Sequence, residues 1–196
     1  MQLILVRHGK PDVPAQGPTA NPPLGALGHQ QADHAAAVLA HEPIERIVSS
    51  GMKRADATAM PLAKKLGMAV EIIPDLGEID RWGGHYASIE TLRAEGGDQW
   101  ARFKSDPLGF FGVDADRFRA GVLSGFAEVL SGPERTVAVF THGFPINIML
   151  SQALNLKHDA RFVPAYASFT RLAGRSIDAL TVVSVNESGH VPELLR

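Results

Sequence analysis

The run Leu3-Ile4-Leu5-Val6 has no polar residue at alternate positions. A strand written this way has no solvent face, so something must cover both of its sides. That demand places it inside a sheet with helices above and below, and the rest of the chain supplies the helices. Ala32, Ala35, Ala36 and Leu39 recur at helical spacing, as do Met52, Ala55, Ala59, Leu62, Ala63 and Leu66, where Pro61 is expected to introduce a kink. Phe118, Val122, Phe126 and Val129 repeat the pattern, and so do Ile146, Met149, Leu150 and Ala153. Residues 46–49, 70–73 and 136–140 read as further strands, and 167–173 with 177–185 as a hairpin turning at Gly174-Arg175-Ser176. This alternation predicts an α/β layered fold around a mostly parallel sheet, made mixed by the closing hairpin.

At 196 residues the chain is expected to form one domain, 1–196, with no linker, repeat or low-complexity tract. The stretch 74–114 is more loosely patterned and reads as short helices and loops, a possible lid. A hydrophobic content of 45% with 20% charged residues excludes disorder, and a net charge of −2 gives no sign of the basic surface that nucleic acids select while leaving room for a small local basic pocket. With no cysteine, disulfides, thiolate nucleophiles and cysteine-held metal sites are excluded together. Arg7 cuts the first apolar run too early for a signal peptide or a membrane span. A soluble, cytoplasmic protein with no nucleic-acid or membrane partner is expected.

In open α/β sheets, ligands bind beyond the carboxyl ends of the strands. The first strand is followed by Arg7-His8-Gly9-Lys10 and the second by Ser49-Ser50-Gly51-Met52-Lys53-Arg54. The third is followed by Asp75-Leu76-Gly77-Glu78, and the fourth by Thr141-His142-Gly143-Phe144. Parallel strands would gather two histidines, two arginines and one glutamate at a single sheet edge. Such a set suits phosphoryl transfer. Arg7 and Arg54 could each grip a phosphate with a planar fork, and two helix N-termini would add backbone N–H groups. A neutral imidazole is a good nucleophile toward phosphorus, and neighbouring arginines favour its neutral form. A carboxylic acid beside it could protonate the leaving oxygen. No metal or other cofactor is required.

Taken singly, each residue has a plainer explanation. A histidine after a strand is more often a hydrogen-bonded structural group, Arg54 alone a solvated helix charge, and Glu78 alone a surface carboxylate. Joint placement is what favours chemistry. Asp75 and Asp80, flanking Glu78, are read as solvated turn residues, and His29, His34, His41 and His158 as surface residues. His8 is expected at an exposed strand end. Trp82, His85, Tyr86, Phe110 and Phe111 fall in the 74–114 stretch and fit substrate contact or ordinary packing equally well.

Leu5-Val6-Arg7-His8-Gly9 resembles the signature of the histidine phosphatase superfamily, the phosphoglycerate mutase-like family. The segment from Pro23-Leu24 through Gly28 to Gln31-Ala32 resembles the family's proline-leucine-threonine-x-x-glycine-x-x-glutamine-alanine stretch. Ser49-Ser50, Arg54-Ala55 and Thr58-Ala59 are similar to its next block, Leu76-Gly77-Glu78 to its acid motif, and Thr141-His142-Gly143 to its late histidine-glycine. Val185-Asn186 with His190 resembles its last strand. The resemblance implies a three-layer α/β/α sandwich around a mixed sheet. It also implies His8 as a transiently phosphorylated nucleophile, Glu78 as proton donor, and a phosphate pocket of Arg7, Arg54 and His142 with the backbone of Gly143 and Phe144.

The chain departs from the family's mutases at Lys10-Pro11-Asp12-Val13, where those carry glutamate, then serine or threonine, and soon an asparagine. Lys10 and Asn21 are the candidates to replace the asparagine's phosphate contact. Trp82-Gly83-Gly84-His85-Tyr86 stands where tryptophan-glutamate-glycine is common. The expected activity is hydrolysis of a small phosphomonoester. A mutase is the first alternative, although the chain is short for one. A non-catalytic phospholigand-binding module is the second. A metallohydrolase using His8, His142 and Glu78 lacks a recognisable ligand motif.

Overall fold

The structure, a computed structural model, describes residues 1–13, 20–83, 89–156 and 162–192. β1 (Gln2–Arg7) lies in the interior of a six-stranded sheet. It runs parallel to β4 (Thr136–Thr141), with Leu3 opposite Val137 and Leu5 opposite Val139. Beyond β4 come β2 (Arg46–Ser49) and, at the edge, β3 (Val70–Ile72), both parallel to it. On the other side of β1, β5 (Phe169–Ala173) is antiparallel and pairs with β6 (Thr181–Glu187), again antiparallel. The order is β3-β2-β4-β1-β5-β6. This is the expected mixed, mostly parallel sheet.

Successive side chains of a strand face opposite ways, so the apolar run of β1 feeds two cores. Leu3 and Leu5 join Val137, Val139 and Leu172 beneath α6 (Ala115–Leu130) and α7 (Gly143–Ala153). Ile4 and Val6 join Ile47, Ala138, Phe140 and Phe169 beneath α1 (Ala26–Leu39) and α2 (Lys53–Leu66). All four β1 side chains are fully buried, each stabilising the fold by about 1.5–3 kcal/mol. The three layers follow directly.

α1 starts earlier than its apolar spacing suggests. In its first turns only Gly28 and Gln31 are buried, so no apolar stripe marks them. α2 continues past Pro61, which removes one intrahelical donor, and ends at Gly67 in a left-handed conformation (φ 65°). The hairpin differs too. A 3₁₀ turn at Ile177–Ala179 occupies the start of the expected second strand, and β6 begins only at Thr181.

The 74–114 stretch contains 3₁₀ turns at Pro74–Leu76 and Ile79–Arg81, then α3 (Ile89–Glu95), α4 (Gly97–Ser105) and α5 (Pro107–Phe110). Leu92, Phe103, Leu108 and Phe111 are buried in the α6–α7 core, so Phe111 packs rather than lining an open surface. Phe110 is half-buried, its ring edge-on to Phe103 and Phe111. Trp82 packs edge-on against Phe118, with ring centres 5.9 Å apart. His85 and Tyr86 lie outside the described residues. Among the described residues no helix is long and apolar enough to cross a membrane.

Candidate active site

Because β1, β2 and β4 are parallel, they deliver their next residues to one edge. His8 donates its backbone N–H to the Thr141 carbonyl (3.0 Å), and Ser50 donates its own to the Phe140 carbonyl (3.2 Å). At Gly51 (φ 75°) the chain leaves β2 and turns into α2, which carries Arg54 in its first turn. Glu78 follows the turn after β3, and His142 caps α7. The His8 and His142 rings are 5.1 Å apart, centre to centre. Arg7, His8, Arg54, Glu78 and His142 thus do meet, and all are buried. His8 is 1% exposed, not on an exposed strand end as expected, because Arg54 of α2, His142 and Tyr166 pack around its ring.

Two of the sequence blocks hold the His8 loop. The Gly9 N–H donates to Thr58 Oγ1 (3.0 Å), and Thr58 Oγ1 donates to the Arg54 carbonyl one helical turn back (2.6 Å). The Lys10 N–H donates to Gln31 Oε1 (2.7 Å), and the Lys10 carbonyl accepts from the Gly25 N–H (3.0 Å). Between these bonds the two backbones touch. A Cβ on Gly9 would lie 2.5 Å from the Gly28 carbonyl oxygen, and one on Gly28 would lie 2.2 Å from that of Lys10. The demand here is space, since neither glycine has a positive φ. Gly28→Ala should therefore push the His8 loop aside, costing about 1–3 kcal/mol of stability and at least about tenfold in kcat. Urea unfolding beside steady-state kinetics checks both.

The hydrogen bonds set the protonation of His8. Its Nδ1 lies 2.7 Å from the Gly9 carbonyl, which can only accept, so Nδ1 carries the proton. Nε2 is left with its lone pair, and Arg54 Nε–H points at it from 3.3 Å. Burial, followed by the charges of Arg54 and Arg7, holds the His8 pKa well below its ordinary value. His142 is depressed in the same way, first by burial and then by Arg54. Its Nε2 meets Ser50 Oγ at 2.8 Å, and its buried Nδ1 has no partner among the described residues. Glu78 moves oppositely. Burial raises its pKa to about 7, with Asp80 adding to the rise and Arg54 opposing it. One oxygen accepts from the Ile79 N–H and the other from the Phe144 N–H (3.1 and 3.2 Å).

Several sequence expectations need correction. Asp80 is not a solvated turn residue: its carboxylate grips both outer nitrogens of Arg54 (2.8 and 3.0 Å), and neither side chain has any exposure. The Nη1/Nη2 edge of Arg54 thus faces Asp80. The Phe144 amide is given to Glu78. Asn21 is a latch: its N–H donates to Asp80 Oδ2, and its Oδ1 accepts from the Lys53 N–H (both 2.9 Å). The Lys10 side chain is exposed, Asp75 and His34 are half-buried, His29 and His41 are exposed, and His158 lies outside the described residues. Sequence reasoning missed Tyr166, whose ring lies 4.0 Å from the Arg7 guanidinium carbon and 5.7 Å from the His8 ring. It also gave Ser50 and Thr58 no part, although both stood inside quoted motifs.

A neutral buried imidazole, a second imidazole, two arginines and a carboxyl group titrating near 7 meet at one edge of an α/β sheet, a set whose chemistry suits phosphoryl transfer. The sequence profile of the histidine phosphatase superfamily (branch 1) matches residues 3–187. The chain belongs to that superfamily. It is 32% identical to the bifunctional protein Rv2228c of Mycobacterium tuberculosis, across 97% of this chain and 55% of that protein. It thus spans about half the length of the curated relatives it matches. Among solved structures it resembles a mycobacterial glucosyl-3-phosphoglycerate phosphatase (TM-score 0.75, 24% identity, 95% and 99% of the two chains). It is also similar to a phosphoserine phosphatase from Entamoeba histolytica (0.70, 23%, 97% and 99%). A third likeness is to a putative α-ribazole-5′-phosphate phosphatase from Escherichia coli (0.75, 20%, 95% and 97%). At these identities the structural likeness speaks for the fold.

Proposed function

We propose that the protein hydrolyses a small phosphomonoester in two steps through a phosphohistidine at His8. The observation that carries this reading is the Nδ1–H bond from His8 to the Gly9 carbonyl, which leaves an unprotonated Nε2 among cationic groups. In the first step Nε2 attacks phosphorus, the P–O bond to the leaving group breaks, and Glu78 gives its proton to the departing oxygen. In the second, water attacks phosphorus, Glu78 takes a proton from it, and the P–N bond breaks to release inorganic phosphate. Arg7, Arg54 through Nε, and His142 through Nδ1 supply the donors that offset charge on the phosphoryl oxygens. Burial of Glu78 beside Met52 and the start of α7 raises its pKa to about 7, which keeps part of the acid protonated near neutral pH.

The reading is tested with the purified protein and a panel of phosphomonoesters that includes 3-phosphoglycerate. Release of inorganic phosphate should survive EDTA and be inhibited competitively by vanadate. Among the described residues no trio of His, Asp or Glu side chains is placed to hold a metal ion. Loss of activity on chelation, restored by a divalent cation, would overturn the reading. Isomerisation of 3-phosphoglycerate without phosphate release would show that the intermediate returns to a hydroxyl instead of water.

A further inference from the structure

The two-step reaction gives Asp80 nothing to do, yet Asp80 is the counter-charge of the most deeply buried arginine among the described residues. Arg54 has no exposed surface. A guanidinium withdrawn from water is tolerated only against an acid with good geometry. Asp80 provides that geometry, Oδ1 to Nη2 at 2.8 Å and Oδ2 to Nη1 at 3.0 Å. A two-point contact fixes the plane of a guanidinium and not merely its distance. In the plane so fixed, the Nε edge faces His8 Nε2 at 3.3 Å. Asp80 is itself held by the Asn21 N–H, and Asn21, in a left-handed conformation (φ 52°), is tied to the start of α2 through Lys53. Two segments far from Asp80 in sequence, at Asn21 and at the start of α2, therefore converge on its carboxylate.

We propose that Asp80 is a positioning residue for the reaction at His8: it holds the outer nitrogens of Arg54 so that the Nε–H, and not the two-nitrogen fork, is presented to the transferring phosphoryl group. This inference rests on the reading of His8 as nucleophile. The charged or titratable groups around the pair are Arg7 at the end of β1, His8 just after it, Glu78 beside Asp80, and His142 at the start of α7. Of these, Glu78 feels Asp80 directly, since the Asp80 charge raises its pKa.

A double-mutant cycle on the intact chain with p-nitrophenyl phosphate tests the inference. Asp80→Asn should lower kcat/KM about 10- to 100-fold, the cost of losing charge-assisted bonds that aim a catalytic group. The loss should fall mainly on kcat, with the inhibition constant of inorganic phosphate changed less. Measured on an alkyl phosphate, the alkaline limb of the pH profile should move to lower pH, because Glu78 loses a neighbouring negative charge. In an Arg54→Gln background, Asp80→Asn should cost nothing further, and the neutral amide pair keeps that double variant folded. Wild-type kcat/KM in Asp80→Asn would overturn the inference, as would an equal loss with and without Arg54. If circular dichroism shows Asp80→Asn unfolded, Asp80→Glu replaces it. That variant should lower kcat while leaving the alkaline limb in place, and an unchanged kcat would overturn the inference. A wild type that forms no phosphohistidine defeats the proposed mechanism, whereas a labelled wild type with an indifferent Asp80 defeats only this inference.

Discussion

His8→Ala should lose on the order of 10⁴–10⁶-fold in kcat, the scale seen when a covalent nucleophile is removed, and still fold. The first half follows from the site. His8 is the group whose own hydrogen bond fixes the proton on one ring nitrogen and turns the other, unprotonated, toward Arg54. The second half needs care because His8 is buried. What the fold loses is the bond from Nδ1 to the adjacent carbonyl, the Arg54 Nε–H contact to Nε2, and the ring contacts with His142 and Tyr166. What it sheds is an imidazole that burial and two arginines already disfavour as a cation. Against those losses the neutral imidazole carried no charge to relieve, so the urea unfolding midpoint should correspond to a loss of about 1–3 kcal/mol, short of unfolding. Vanadate should still bind, since Arg7, Arg54 and His142 remain.

Glu78→Gln should separate substrates by their leaving groups. A general acid contributes about 10²–10⁴-fold where the departing oxygen needs a proton, so alkyl phosphates should suffer by that factor. A nitrophenolate leaves without help, and its phosphorylation step should be slowed far less. With a folded-state pKa of about 7, Glu78 is mostly protonated below neutrality and mostly ionised above it. Wild-type kcat/KM on alkyl phosphates should therefore fall as pH rises through about 7, and Glu78→Gln should lack that limb. On the acid side, activity should persist well below the ordinary histidine range, because His8 and His142 stay neutral there. Correction for the substrate's own ionisation near pH 6 is needed in this range. Asp75→Asn is the appropriate control carboxylate, as Asp75 makes no contact with the arginines, whereas Asp80 does. Equal losses on both substrate classes would give Glu78 a structural or water-positioning role.

The parts of this site that were legible in the sequence share one property: each immediately follows a strand or opens a helix. Strand polarity alone carries Arg7, His8, Glu78 and His142 to the same edge, and Arg54 follows because the α2 spacing places it in the first turn. The sheet was legible for a similar reason, since Leu3-Ile4-Leu5-Val6 allows no solvent face. Asp80 was not legible. Its burial is decided by Arg54 and Asn21, which lie 26 and 59 residues away, and an aspartate two places past a glutamate looks like any turn residue. A signal did exist: an arginine assigned to a buried catalytic edge needs a counter-charge, and Asp80 was the acid nearest the candidate proton donor. Tyr166 gave no such sign, because its neighbours Pro164, Ala165 and Ala167 belong to no motif. The start of α1 was obscured by polar residues, of which Gln31 is buried to hold the Lys10 amide rather than to fill the core.

The account turns on covalent transfer to one ring nitrogen, and a single-turnover quench measures that directly. Wild-type protein in excess over a labelled alkyl phosphate is stopped in alkali within the first turnover, digested and mapped by mass spectrometry. The account predicts an alkali-stable, acid-labile phosphoryl group on Nε2 of His8 that disappears as inorganic phosphate is released and is absent from His8→Ala. A phosphoryl group on a serine or on His142, or hydrolysis with no covalent intermediate, would contradict it.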